Sequence, residues 1–275
     1  MVSDVADLDL KALAAGAAGD AGDAGGVELL ARAITLAENG ELDQAALDQI
    51  EALAAQLPRS QRQRIGITGS PGVGKSTLTG ALIAALRALG EKVGVLAIDP
   101  SSVLTGGALL GDRIRMQEHY LDSNVYIRSM SARGHLGGLA KATPLASELL
   151  AIAGYQRVLV ETVGVGQSEV EVMNHVDTTI LVLAPGAGDD IQSAKAGVME
   201  IADIFVINKV DRDLPGAERL LQEIMRSQEL AHRVDADQWR APILLVSALD
   251  RTGISKILDA ITSHQEFIAT GSESR

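Results

Sequence analysis

The chain has 275 residues, with 24 Lys and Arg against 36 Asp and Glu for a formal charge of −12; 47% of residues are hydrophobic, 2% are aromatic and none is cysteine. That acidic balance argues against a nucleic-acid binder, which needs a cationic surface to displace phosphate counterions. Without thiols there are no disulfides, zinc fingers or cysteine nucleophile, and no apolar run reaches the roughly 18 to 20 residues that cross a bilayer.

The start, Met1-Val2-Ser3-Asp4, lacks a charged-then-apolar secretory pattern, and no Arg precedes Arg32. A cytoplasmic protein is expected. Residues 1–26 are rich in Ala, Gly and Asp. They offer too little apolar surface to offset the entropy of ordering, so a disordered leader is expected, with a short helix at most over 5–14. Next, Leu29, Leu30, Ala33 and Leu36 share one helical face, Asn39-Gly40 breaks the run, and residues 42–57 repeat it. Residues 27–58 therefore read as a helical hairpin ending at Pro58, with core padding as its simplest role.

From residue 59 to 270 the rhythm changes. Short β-rich runs at 65–68, 93–98, 125–127, 158–160, 179–183, 204–207 and 243–246 alternate with helical patterns at 77–89, 139–153, 193–201, 217–229 and 254–268. Strands apolar on both faces and separated by helices predict an α/β fold, a mostly parallel central sheet with helices on both faces. Such sheets bind ligands at the carboxyl ends of their strands.

The strongest motif is Gly69-Ser70-Pro71-Gly72-Val73-Gly74-Lys75-Ser76-Thr77, between a predicted strand and a predicted helix. This is the context of a P-loop, so residues 59–270 read as a P-loop NTPase domain. Glycines let backbone N–H groups turn toward phosphate oxygens, and the helix start adds partial positive charge. Lys75 would place a cation on the β- and γ-phosphates, and Ser76 a hydroxyl on Mg²⁺.

Asn208-Lys209-Val210-Asp211 directly follows the run 204–207. The Asp211 carboxylate can accept two hydrogen bonds from the N1–H and 2-amino group of guanine, a donor pair that adenine lacks. Asn208 would brace the loop, and the Lys209 stem would cover the base. Ser247-Ala248-Leu249, after the run 243–246, fits a loop that brings a backbone N–H near guanine O6. These residues predict GTP and GDP as ligands.

Acids stand at strand ends. Asp99 closes the run 93–98, Glu161 closes 158–160, and Asp112 lies in Gly111-Asp112-Arg113. Carboxylates beside a P-loop are where Mg²⁺ needs oxygen ligands, so Ser76, Asp99, Asp112 and Glu161 are the expected metal group. Gly164, in the glycine-rich segment after Glu161, would present its N–H to the γ-phosphate. The five histidines, at 119, 135, 175, 232 and 264, show no ligand spacing. They and Trp239 are expected in packing or surface roles, and Arg59, Arg62 and Arg64 in a solvated segment.

Together, Gly69–Thr77, Asp99–Ser102, Thr105–Gly107, Gly111–Arg113, Glu161–Glu169, Pro185–Asp189 and Asn208–Asp211 resemble the MeaB/ArgK family of P-loop GTPases over about residues 28–268. Ser70 stands where deviant-loop ATPases of the wider class carry a second lysine. The resemblance implies Mg²⁺-dependent GTP hydrolysis that is slow alone and faster with a partner. That partner would be an adenosylcobalamin-dependent acyl-CoA mutase such as methylmalonyl-CoA mutase. The protein would act as its chaperone, gating cofactor loading and release. By the same resemblance, loops near 101–112, 162–172 and 186–197 are mobile switches. Lys195 would couple partner binding to hydrolysis, and Gln167 would orient water, beside Lys75 and Glu161 as catalytic groups. Family members commonly continue into a helical arm that clasps a second subunit; here Gly271–Arg275 follow the last helix, so a homodimer of that type would need another surface. Two other functions remain open. One is a kinase acting on a transport-system binding protein. The other is a metal-delivery GTPase, whose usual Cys/His ligands this chain lacks.

Overall fold

The computed structural model describes residues 8–16, 24–99, 119, 121–131, 136–162, 167–186, 200–231 and 238–271. Eight helices appear among them: α1 (Leu10–Gly16), α2 (Ala24–Asn39), α3 (Gln44–Gln56), α4 (Lys75–Ala88), α5 (Leu136–Ile152), α6 (Gln167–Met173), α7 (Leu214–Ala231) and α8 (Ile254–Ala269). Seven strands form one parallel sheet: β1 (Gln63–Thr68), β2 (Val93–Asp99), β3 (Val125–Ser131), β4 (Arg157–Thr162), β5 (Thr178–Leu183), β6 (Ile204–Ile207) and β7 (Ile243–Leu245), in the order β3-β2-β4-β1-β5-β6-β7. The predicted α/β sheet is thus observed, each β-rich run falling inside or beside its strand. By backbone contacts the chain divides into two compact units, 1–65 with 86–161, and 66–85 with 162–275.

In the first unit, β2 and β3 pair in register from Val93 with Val125 to Asp99 with Ser131. β3 runs four residues beyond its apolar core, because pairing carries the polar Arg128 and Ser129 along with it. α2 ends where Gly40 turns left-handed at φ +68°, with Gly40 N–H donating to Ala37 and Glu41 N–H to Leu36. This satisfies the last helical carbonyls. Asp43 caps α3 by accepting the Ala46 N–H at 2.8 Å, which meets one of the donors that a helix start leaves unpaired. α2 and α3 both find their main partner in α5, whose Ala142, Ala146, Leu149 and Leu150 are buried. Arg128 on β3 reaches α2, donating to Thr35 at 2.9 Å and pairing with Glu38. Within residues 1–26, where a short helix is expected over 5–14, the described residues include α1 at Leu10–Gly16. α1 buries Leu10 and Leu13, the two residues of the segment that a helix brings to one face.

In the second unit, every residue of β5 and β6 is buried, the signature of strands covered on both sides. Leu181, Leu183, Phe205 and Ile207 pack with Ala217, Leu220 and Ile224 of α7. Trp239 has the packing role expected of it: its ring lies 4.8 Å from His264 and 5.4 Å from Phe267, and its Nε1 donates to the Asp203 carbonyl at 2.8 Å. His264 is fully buried, with Nδ1 2.9 Å from the Thr178 hydroxyl and Nε2 3.4 Å from Asp203. The predicted helix 193–201 and His135 and His232 lie outside the described residues, save for Glu200 and Ile201 in a turn.

Candidate functional site

β1 ends at Thr68 and α4 opens at Lys75, so the glycine-rich motif forms the connection. Gly69, Gly72 and Gly74 hold φ of +142°, +81° and +99°. A side chain at Gly69 would put its Cβ 2.1 Å from the Val182 carbonyl oxygen, and one at Gly74 would meet Asn208 Nδ2 at 2.4 Å. Gly72 meets nothing within 4 Å, so only its backbone conformation asks for glycine. Such a turn feeding a helix start presents backbone amides to an anion.

Lys75 is 7% exposed, and its ammonium donates to the carbonyls of Gly69 at 2.5 Å and Ser70 at 3.1 Å. Val73 and Ser76 are buried, and Thr77 is exposed on the first turn of α4. The loop and its lysine therefore form one hydrogen-bonded body, fixed before any ligand arrives.

The loop after β6 is tied to it directly. Asn208 is 2% exposed; its backbone N–H donates to Leu183 at 2.8 Å, its Nδ2 donates to the Val73 carbonyl at 2.9 Å, and its Oδ1 accepts the Ala248 N–H at 2.9 Å. The carboxamide thus joins the segments after β1, β6 and β7. Lys209 adopts a left-handed backbone at φ +65°, and its ammonium donates to the Gly72 carbonyl at 2.5 Å. That conformation is costly for a residue with a Cβ. It turns the chain so that Arg212 N–H returns to the Lys209 carbonyl at 3.0 Å, and Val210 N–H reaches Val246 at 3.3 Å.

The turn leaves Asp211 with a side chain 21% exposed and a long 3.9 Å approach to Arg212. Ser247 is buried and exchanges two backbone hydrogen bonds with Thr252, while its hydroxyl donates to Asp250 at 3.0 Å. That closed loop leaves Ala248 buried on Asn208 and Leu249 67% exposed. The structure therefore brings together Gly69, Gly72, Val73, Gly74, Lys75, Asn208, Lys209, Ser247 and Ala248.

The remaining expected residues are placed in part. Glu161 sits on β4 and is 1% exposed. Asp99 closes β2 and Gln167 opens α6, with side chains outside the described residues. Asp112, Gly164 and Lys195 also lie outside them. Among the described residues no three His, Cys, Asp or Glu gather as a metal group, and no helix is long and apolar enough to cross a membrane.

Three features escape the sequence reading. α6 is absent from its helices, and the Ser247–Asp250 pairing and the left-handed Lys209 are not anticipated. A fourth, the interior-strand Gly66, carried a signal: glycine inside a strand pattern marks a close approach. Its Cβ would lie 2.4 Å from Met173 Sδ.

The chain as a whole is similar to known proteins. The family model described as methylmalonyl-CoA mutase-associated GTPase MeaB matches residues 30–275. A Pyrococcus abyssi protein named as a GTPase is 49% identical over 243 residues, 86% of this chain and 72% of that protein. The mouse mitochondrial methylmalonic aciduria type A homolog is 40% identical over 254 residues, 88% of this chain and 61% of that protein. The crystal structure of an LAO/AO transport system kinase superposes with a TM-score of 0.70 at 30% identity, covering 96% of this chain and 78% of that one. With a family model spanning residues 30–275, this protein belongs to the MeaB family of GTPases.

Proposed function

We propose that the protein binds GTP with Mg²⁺, hydrolyses it, and uses the cycle as a chaperone of a cobalamin-dependent acyl-CoA mutase, gating adenosylcobalamin loading and release. The observation that carries the nucleotide part is the Asn208 carboxamide, which fastens Val73 of the phosphate loop to Ala248 of the base loop. A phosphate cradle and a guanine-selective carboxylate are thereby held at a fixed spacing, as one ligand with both ends requires. The partner part is supported by the family's description and by the name of the mouse relative. The same reading puts the protein in the cytoplasm.

The residues fit the chemistry. A triphosphate offers the Lys75 ammonium charged oxygens in place of the neutral carbonyls of Gly69 and Ser70, and charge-assisted bonds are about twice as strong. In this reading Gly69, Gly72, Val73, Gly74, Ser76 and Thr77 contribute to binding the same anion. Ser76, Asp99, Asp112 and Glu161 are the oxygen donors that would hold Mg²⁺, a hard cation that neutralises charge on the phosphates when bound. Asp211 accepts from the guanine edge, Leu249 and Ala248 line it, and Lys209 covers it. Gly164 donates to the γ-phosphate, Gln167 orients the attacking water, and Lys195 transmits the mutase's arrival. Slow intrinsic turnover follows when water and charge are incompletely positioned until a partner completes them.

The test has two stages. Calorimetry with Mg²⁺ should show heat with GTP and GDP and none with ATP; silence with both guanine nucleotides refutes the reading. Hydrolysis should then rise when methylmalonyl-CoA mutase is added; an unchanged rate refutes the chaperone part. The similarity to a transport system kinase favours a second outcome. It would be recognised as transfer of label from γ-labelled GTP to a binding protein rather than to water.

A further inference from the structure

We infer that the contact of Gly66 with Met173 seats α6 on the strand that carries the phosphate loop, and that Gly66 is thereby a positioning residue for hydrolysis. The inference rests on the nucleotide-hydrolysing reading above. Gly66 lies inside β1, three residues before Gly69. A Cβ there would stand 2.4 Å from Met173 Sδ, 2.9 Å from Val176 Cγ2 and 3.2 Å from Met173 Cε. α6 therefore rests the thioether end of Met173 on bare backbone.

The Met173 thioether is the flexible end of its side chain, so the contact is relieved by a rotamer change only where its packed surroundings leave room. Met173 is fully buried, and Val172 beside it is 2% exposed. Val176 is β-branched and stiff at χ1. The helix end is also fastened, with Asn174 N–H donating to Val170 at 3.1 Å and His175 N–H to Val172 at 3.1 Å, and β5 begins at Thr178. α6 is a single helix of seven residues, and its first residue, Gln167, lies roughly 9 Å from Met173 at 1.5 Å per residue. Lifting Met173 by the missing clearance, on the order of 1 Å, moves Gln167 by a similar amount. Displacements of that size cost about 100-fold when they misplace a reacting group. The phosphate loop stands on the strand itself, so its own geometry, and with it GDP binding, is left in place.

The experiment compares wild type, Gly66→Ala, Met173→Ala and the double variant in the full chain, with single-turnover GTP hydrolysis and GDP affinity as paired readouts. Gly66→Ala should slow hydrolysis at least tenfold and change GDP affinity less than threefold. Removing the opposing side chain should restore room, so the double variant should recover to within threefold of Met173→Ala alone. Met173→Phe, which presses on the same contact with the strand untouched, should reproduce the loss and serves where Gly66→Ala does not fold. A Gly66→Ala rate equal to wild type overturns the inference, as does parallel loss of GDP affinity or a folded double variant without recovery. A wild-type protein that hydrolyses no GTP overturns the functional reading instead, so the two failures are distinct.

Discussion

Asn208 Nδ2 donates to the carbonyl of Val73 at 2.9 Å, which fastens a residue after β6 to the loop after β1. The other end of the same carboxamide accepts the Ala248 N–H at 2.9 Å. A carboxamide donates from its nitrogen and accepts at its oxygen with no net charge. Asn208→Ala would leave a buried carbonyl and a buried N–H unpaired, at about 1–3 kcal/mol each. Asn208→Asp keeps the acceptor but sets a carboxylate against the Val73 oxygen. Urea unfolding should rank wild type above Asn208→Ala, and Asn208→Asp lowest. A reversed order of the two variants would show that the Val73 bond carries little of the effect.

Two glycines of the phosphate loop should separate sterics from backbone strain. At Gly72 a Cβ meets open space but inherits φ +81°, whereas at Gly69 it meets the Val182 carbonyl oxygen at 2.1 Å. Gly72→Ala should therefore cost about 1–2 kcal/mol, the penalty of a left-handed alanine. Gly69→Ala must push β1 from β5 backbone, so it should cost several times more or prevent folding. Thermal melts of the two variants check this, and equal losses would contradict it.

Much of this architecture is legible in the residues, for identifiable reasons. β5 and β6 are apolar on both faces, and that pattern survives any partner. Gly69–Ser76 and Asn208–Asp211 are contiguous and punctuated by strand ends. α1 is different: Leu10 and Leu13 are two apolar residues in an Ala/Gly background, and they matter only because α2 and α3 stand beside them. α6 spans seven residues, too short for a period to declare itself, and it is stabilised by Gly66 a hundred residues away. α5 as the main partner of both α2 and α3 is not written in residues 27–58, because those contacts are made across the sequence. Asp250's hold on the Ser247 hydroxyl is likewise a property of the closed loop rather than of a motif.

Asp211 carries the proposed base selectivity, and its chemistry can be inverted. Its side chain is 21% exposed with only a 3.9 Å approach to Arg212, so it is not consumed by an internal ion pair. Asp211→Asn turns one acceptor into a donor, which suits a xanthine carbonyl in place of the guanine 2-amino group. GTP affinity should fall at least tenfold and xanthosine triphosphate affinity should rise. Unchanged values for both would remove Asp211 from the base site.

Glu148 of α5 has its pKa raised by burial, against the pull of Arg64 and Arg62 and with a push from Glu51. A raised carboxylate holds its proton more firmly folded than unfolded. Its ionisation therefore weighs against folding once the pH passes the unfolded value near 4.5. Glu148→Gln should raise the melting temperature at pH 7–8, and the gain should vanish as the pH falls below that value. A variant less stable at pH 7 would mean that the arginine attraction outweighs burial.

The Arg87–Asp122 pair gives the opposite sign. Arg87 Nε donates to Asp122 at 2.7 Å, and this bond is the largest cause of a lowered Asp122 pKa; burial opposes it, and the Asn124 N–H at 2.9 Å assists. Arg87 also donates to the Glu91 carbonyl at 2.6 Å, so the guanidinium is already held in place when it meets the carboxylate. The folded state thus binds the Asp122 proton more weakly than the unfolded one. Its stabilisation is complete above the unfolded value near 3.8 and disappears as the pH drops through the lower folded value. The Asp122 side chain is 32% exposed, so solvent screening limits the effect to roughly 1 kcal/mol or less. Asp122→Asn should lower stability by that amount at pH 7 and converge with wild type as the pH falls below the lowered folded value, because protonation makes the two side chains nearly equivalent. Chemical denaturation across that range measures the gap. A gap that persists at the acid end would place the effect in the shape of the site rather than in its charge.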